Sequence, residues 1–111
     1  YVSATKWVTD LEVTTFDRKQ AYWLQRGRGR LGPVKTQSRI DVPRSAGSAP
    51  AGAVTVAGIA WSQPVGISRV EVRLDDGPWA DAELATEVGG DTWRMWRAVV
   101  DAAPGSHVVT V

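Results

Sequence analysis

The chain is 111 residues long, enough for one small domain with an attached segment and too short for several independent cores. Its hydrophobic and charged shares, 43% and 23%, are those of an ordinary globular domain, and a net charge of +1 gives no overall drive toward nucleic acid or an anionic membrane. With no cysteine there is no disulfide framework, thiol nucleophile or cysteine-based zinc site, and no apolar run approaches the roughly 20 residues that span a bilayer.

The first methionine is Met95, the chain opens on YVSATKW, and it closes on VVTV inside an apolar alternation. It reads as the portion of a longer protein. Residues 6–16 (KWVTDLEVTTF) alternate polar and apolar side chains, with Trp7, Leu11 and Val13 available to one buried surface. That period predicts a strand. Residues 17–30 (DRKQAYWLQRGRGR) set charges around Tyr22, Trp23 and Leu24, and Gly27, Gly29 and Gly32 then interrupt any helix ahead of Pro33. A loop with one short helical turn near residues 19–25 is expected there.

Residues 34–41 (VKTQSRID) read as a strand entering the next domain, followed by a turn-rich VPRSAGSAPAGA. Residues 54–61 alternate again, and Gly58 inside them signals a bulge or a close backbone approach. Over residues 68–74, Val70, Val72 and Leu74 fall on one face and Arg69, Glu71 and Arg73 on the other. Asp75-Asp76-Gly77-Pro78 supplies a hairpin turn, since Asp and Gly accept left-handed backbone. Further strands are expected at residues 79–84, 92–100 and, after Ala103-Pro104-Gly105, 107–111. Short strands between turn signals predict an all-β fold, an immunoglobulin-like antiparallel sandwich of the E-set type, preceded by a strand and loop.

Candidate chemistry is sparse. Arg26-Gly27-Arg28-Gly29-Arg30 has the composition of a phosphate-binding tract, but it is short and lies near Asp10, Glu12 and Asp17, so a solvated loop is the expectation. Asp75 and Asp76 belong to a turn, and Asp81 and Glu83, two apart, would share a wet strand face. His107 is the only histidine and has no nucleophile motif beside it, which makes it a surface strand residue. Trp93 and Trp96, three apart, must lie on opposite faces of a strand, one filling the core and the other turned outward. An outward Trp beside Arg94 and Arg97 has the composition of an interface, so both tryptophans are interface candidates.

The segments YVSATKWVTDLEV, AYWLQRG, GPVKTQSRID, AGIAWS, RVEVRLDDGPWADAEL, DTWRMWRAVV and PGSHVVTV, in that order, resemble the sulfite oxidase family of molybdopterin-dependent oxidoreductases, most nearly its bacterial members. The resemblance covers nearly the whole chain. Asp76-Gly77-Pro78-Trp79 departs from the family's more glycine-rich turn. It implies that residues 1–32 end a molybdopterin-binding domain. It implies that residues 33–111 are the immunoglobulin-like dimerisation domain, lacking its last strand. It further implies that Lys6 contacts the cofactor, with weaker contributions from Ser3 and Thr5. The family's molybdenum-ligating cysteine lies upstream and its substrate arginines lie elsewhere, so no catalytic or metal-binding residue is expected in this chain. The implied partners are the upstream cofactor domain, a second copy and an electron-transfer protein, with no nucleic acid, in the bacterial cell envelope or outside the cytoplasm. From the residues alone, a non-catalytic sandwich module of a cell-surface protein stands as the alternative.

Overall fold

The computed structural model describes residues 6–30, 32 and 34–111, and the chain divides into two units, Tyr1–Pro33 and Val34–Val111.

In the first unit the strand expected over residues 6–16 does not form. Trp7, Leu11 and Val13 are 90%, 87% and 96% exposed. Alternation only says which side chains would share a face. A strand also needs a neighbour for its backbone N–H and C=O groups and a surface for its apolar row. The described residues of this unit offer neither. The helical turn is present as a single 3₁₀ turn, Leu24–Arg26, stopped by Gly27 at φ +85°, whose N–H donates to the Leu24 carbonyl. The arginines of the Arg-Gly tract are spent locally. Arg26 stacks over Tyr22 at 4.4 Å, Arg28 over Trp23 at 5.2 Å and Arg30 over Phe16 at 4.4 Å. Lys19 pairs with Glu12.

The second unit is built of seven strands: β1 (Gln37–Val42), β2 (Gly52–Trp61), β3 (Glu71–Leu74), β4 (Ala80–Asp81), β5 (Glu83–Leu84), β6 (Arg94–Ala102) and β7 (Val109–Thr110). They form two antiparallel sheets, ordered β1-β2-β6-β5 and β4-β3-β7. The core holds Val56, Ala60, Val70, Val72 and Trp96, with Ile40, Ile67, Ala82, Leu84, Ala98, Val100, Val109 and Val111 packed around it. Val70 and Val72 are buried while Arg69 is exposed, as their alternation requires.

Gly58 shows why that position has no side chain. A Cβ there would overlap the Arg39 carbonyl oxygen and stand 2.9 Å from Trp96 Cζ2. The indole of Trp96 therefore lies on bare backbone, and the bulge falls on the partner strand, where the register slips between Ile40 and Val42 opposite Gly58 and Ala57.

The single strand expected over residues 79–84 is instead two. β4 belongs to the three-stranded sheet and β5 to the four-stranded one, with Ala82 between them. The Ala82 N–H donates to the Val70 carbonyl at 2.9 Å, and three residues later the Ala85 N–H donates to the Met95 carbonyl at 2.9 Å. The chain thus changes sheets at a small side chain that fits against the core. Asp81 and Glu83 consequently lie on different sheets, contrary to the shared face their spacing suggests. The turn after β3 forms as expected, with Asp75 taking the left-handed conformation at φ +51°.

Candidate interface on the four-stranded sheet

Strand alternation sorts the four-stranded sheet into an inner and an outer face. From β2, Val56, Gly58 and Ala60 turn inward; Thr55, Ala57, Ile59 and Trp61 turn outward. The β2–β6 register places Thr55 opposite Val99, Ala57 opposite Arg97 and Ile59 opposite Met95, so those β6 residues share the outer face. Arg39 lies opposite Ile59 on β1 and joins them. Met95 is 63% and Val99 68% exposed, and Val42 at the end of β1 is 50% exposed.

Just before β6, Trp93 packs on Trp61 with ring centroids 4.6 Å apart and planes tilted by 41°. Trp93 still leaves 53% of its surface open. One ion pair interrupts this apolar stripe at Arg97, between Met95 and Val99, and another lies on the edge strand β1. Arg97 Nε donates to Glu83 Oε2 at 2.8 Å, and Arg39 Nε donates to Asp41 Oδ1 at 2.8 Å. The hydrogen bond from Arg97 lowers the Glu83 pKa, and Glu83 in turn raises that of Arg97. Both residues are well exposed, so the pair fixes a direction more than it stabilises the fold. Exposed Trp and Met beside an arginine is the composition of a protein-binding patch.

The two tryptophans divide as their spacing demands, and only one can meet a partner. Trp96 is 3% exposed in the core, so its place as an interface residue is corrected. Arg94 is corrected with it. It points inward with a side chain 18% exposed, its Nη1 3.6 Å from Glu87 Oε2, and only Arg97 accompanies the exposed tryptophan. Sequence reasoning missed Trp61, Met95 and Val99. Trp61 ends β2 on the outward phase of the same alternation that puts Val56 inside, which was a readable signal. That β6 pairs beside β2 and brings Met95 and Val99 to the same face was not.

Ser3 and Thr5 lie outside the described residues, and Lys6 is exposed at the start of those described. Among the described residues no three carboxylate or imidazole groups converge on a point that would hold a metal ion.

His107, expected at the surface, is held on both ring nitrogens. Nδ1 lies 2.8 Å from Asp75 Oδ2 and Nε2 lies 2.9 Å from the Ala103 carbonyl oxygen. Asp75 Oδ1 accepts the Val108 N–H at 2.8 Å. A histidine whose second nitrogen rests on a carbonyl has no nucleophile to activate, so this is no hydrolytic triad.

The opposite sheet presents a different surface. Arg69 donates to both Asp81 and Glu71 at 2.7 Å, and the Asp81 bond foremost raises its pKa. Arg73 stacks over Trp79 at 4.9 Å. The chain matches no protein-family model and no curated protein.

Proposed function

We propose that this chain is the C-terminal part of a sulfite oxidase-like molybdopterin-dependent oxidoreductase, and that its immunoglobulin-like sandwich serves as scaffold and self-association surface. The parent enzyme would transfer an oxygen atom and electrons at a small sulfur-containing or oxyanion substrate. The chain itself carries no catalytic group in this reading. Molybdopterin would be held by the upstream domain, with Lys6 as this chain's contribution.

One observation carries the reading. The motifs that resemble the family fall at positions where each has a structural use. AGIAWS ends β2 and delivers Trp61 to the outer face; RVEV leads into and begins β3; DDGPW makes the turn; and the Trp-x-x-Trp pair puts one indole on Gly58 and the other on Trp61. Such a fold supplies support and contact surface, while the chemistry belongs to the cofactor.

The test has two arms. The first is molybdenum and pterin analysis of the parent protein, which should contain both. The second is sedimentation velocity of the 111-residue chain at increasing concentration, which should show a monomer–dimer equilibrium that the Met95→Lys and Val99→Lys exchanges abolish. A parent with neither metal nor pterin ends the enzymatic reading. A monomer at every concentration ends the dimer reading and leaves the face to a different protein, the arrangement of an interaction module.

A further inference from the structure

Away from the sheet faces, one polar cluster joins two turns distant in sequence. Asp75 belongs to the turn after β3, and His107 lies in the connection between β6 and β7. The backbone ties them once, through the Asp75 N–H to the Val108 carbonyl at 2.7 Å. The Asp75 side chain ties them twice more, to His107 Nδ1 and to the Val108 N–H, and a further bond from His107 Nε2 to the Ala103 carbonyl lies within the β6–β7 connection; here the chemistry of the acceptors decides the protonation state. The Ala103 carbonyl oxygen can only accept. The Asp75 carboxylate already accepts the Val108 N–H on Oδ1, and its Oδ2 faces Nδ1. Both ring nitrogens therefore meet acceptors, and a neutral imidazole has one N–H to offer two of them. One added proton satisfies every atom of the cluster; without it, either Asp75 Oδ2 or Ala103 O loses its donor.

We propose that His107 and Asp75 form a proton-operated latch, tightening the β6–β7 connection against the β3–β4 turn while the proton is bound and loosening it when the proton leaves.

The surroundings fit that role. The His107 side chain is 24% exposed, enough to exchange its proton with water and covered enough to feel its partners. Each neighbouring element contributes a definable charge. The β3–β4 turn contributes Asp75 in contact and Asp76, which is exposed; β6 ends near the exposed Asp101; and Arg44, from the β1–β2 connection, lines the same open cavity as His107, Ser106 and Val109. Asp75 is the partner that matters. Its hydrogen bond, followed by that of the Ala103 carbonyl, raises the His107 pKa above the usual 6.5. The Val108 N–H, followed by His107, lowers the Asp75 pKa below the usual 3.8.

The pH window follows from those directions. The raised histidine contributes stability that is complete below pH 6.5 and lost as pH climbs through its folded-state value. The lowered carboxylate contributes stability that is complete above pH 3.8 and lost on acidification. The latch is tight between those limits and loosens on the alkaline side, with the loop bearing Ala103-Pro104-Gly105 loosened first.

NMR titration of the ring of His107, the only histidine, in the 111-residue chain from about pH 5 to about pH 9 is the direct test. The expected results are a midpoint above 6.5 and loss of hydrogen-exchange protection at the Val108 amide across the same interval. In Asp75→Asn the midpoint should fall back toward the ordinary value. In His107→Gln the pH dependence of thermal stability between neutral and alkaline pH should disappear. A wild-type midpoint at or below 6.5, or a pH dependence of stability identical in wild type and His107→Gln, would overturn the latch. Should the glutamine variant not fold, the wild-type titration and exchange decide alone.

Discussion

The two sheets of the sandwich share one core and turn opposite kinds of surface to the solvent. The four-stranded sheet shows Trp61, Trp93, Met95 and Val99, with Arg97 paired to Glu83 among them. The three-stranded sheet shows Arg69 tied to Asp81 and Glu71, and Arg73 laid over Trp79. Both obey the same alternation, so alternation did not choose between them. The choice lies in what fills the outward phase. Leading into and along β3 it is Arg69, Glu71 and Arg73, of which Arg69 pairs with Glu71 and with Asp81 of β4 while Arg73 lies over Trp79. On β6 it is Met, Arg and Val, of which only the arginine finds a partner. A face whose groups are already paired has little to gain from contact. One with unpaired apolar area gains by burying it, at about 25 cal/mol for each Å² removed from water.

The comparison breaks most completely through what the faces share. Trp96→Ala should cost about 3–5 kcal/mol, because it empties the space between Gly58 and the core valines Val70 and Val72. Urea denaturation should show both sheets melting together at lower denaturant. Gly58→Ala should also destabilise strongly, since the new methyl meets the Arg39 carbonyl, and the loss should be relieved in part when Trp96 is made smaller.

A selective effect comes next. Met95→Lys with Val99→Lys should weaken self-association at least tenfold by sedimentation while leaving the melting temperature nearly unchanged. Arg69→Ala on the other face should leave association as it was. An equal loss from both would mean that the faces do not differ in the way their side chains suggest. Trp93→Ala is a smaller test. It removes one aromatic pair, worth about 0.5–1.5 kcal/mol, and should weaken association by taking the half-exposed indole of Trp93 from the face. The smallest expected effect concerns the ion pairs. Arg97→Ala and Arg69→Ala should each change stability slightly, and sodium chloride should erase the difference on either face, since both pairs are exposed.

Much of the sandwich can be read from residues alone. The phase of Val70, Val72 and Leu74, the turn at Asp75, and the opposed faces of Trp93 and Trp96 all follow from a two-residue period and turn chemistry. So does the tight approach at Gly58. What escaped depends on pairing between distant segments. Residues 6–16 have the alternation of a strand and, among the described residues of their own unit, no strand to pair with. Residues 79–84 keep one phase throughout, yet Ala82 passes the chain from one sheet to the other, and nothing in Ala-Asp-Ala-Glu-Leu records the crossing. His107 looked like a solvated residue because its partner stands 32 positions earlier. The interface candidates were half readable: spacing said one tryptophan must face outward, but only the neighbours Trp61 and Met95 show which.

The crossing at Ala82 also bears on how the domain can come apart. Two strands separated by a single residue lie in different sheets, so a pull on either sheet reaches the other through one short, taut piece of chain. Neither layer can peel away by itself. Resistance to force should therefore be all or none along this axis: intact to a threshold, then lost in one step.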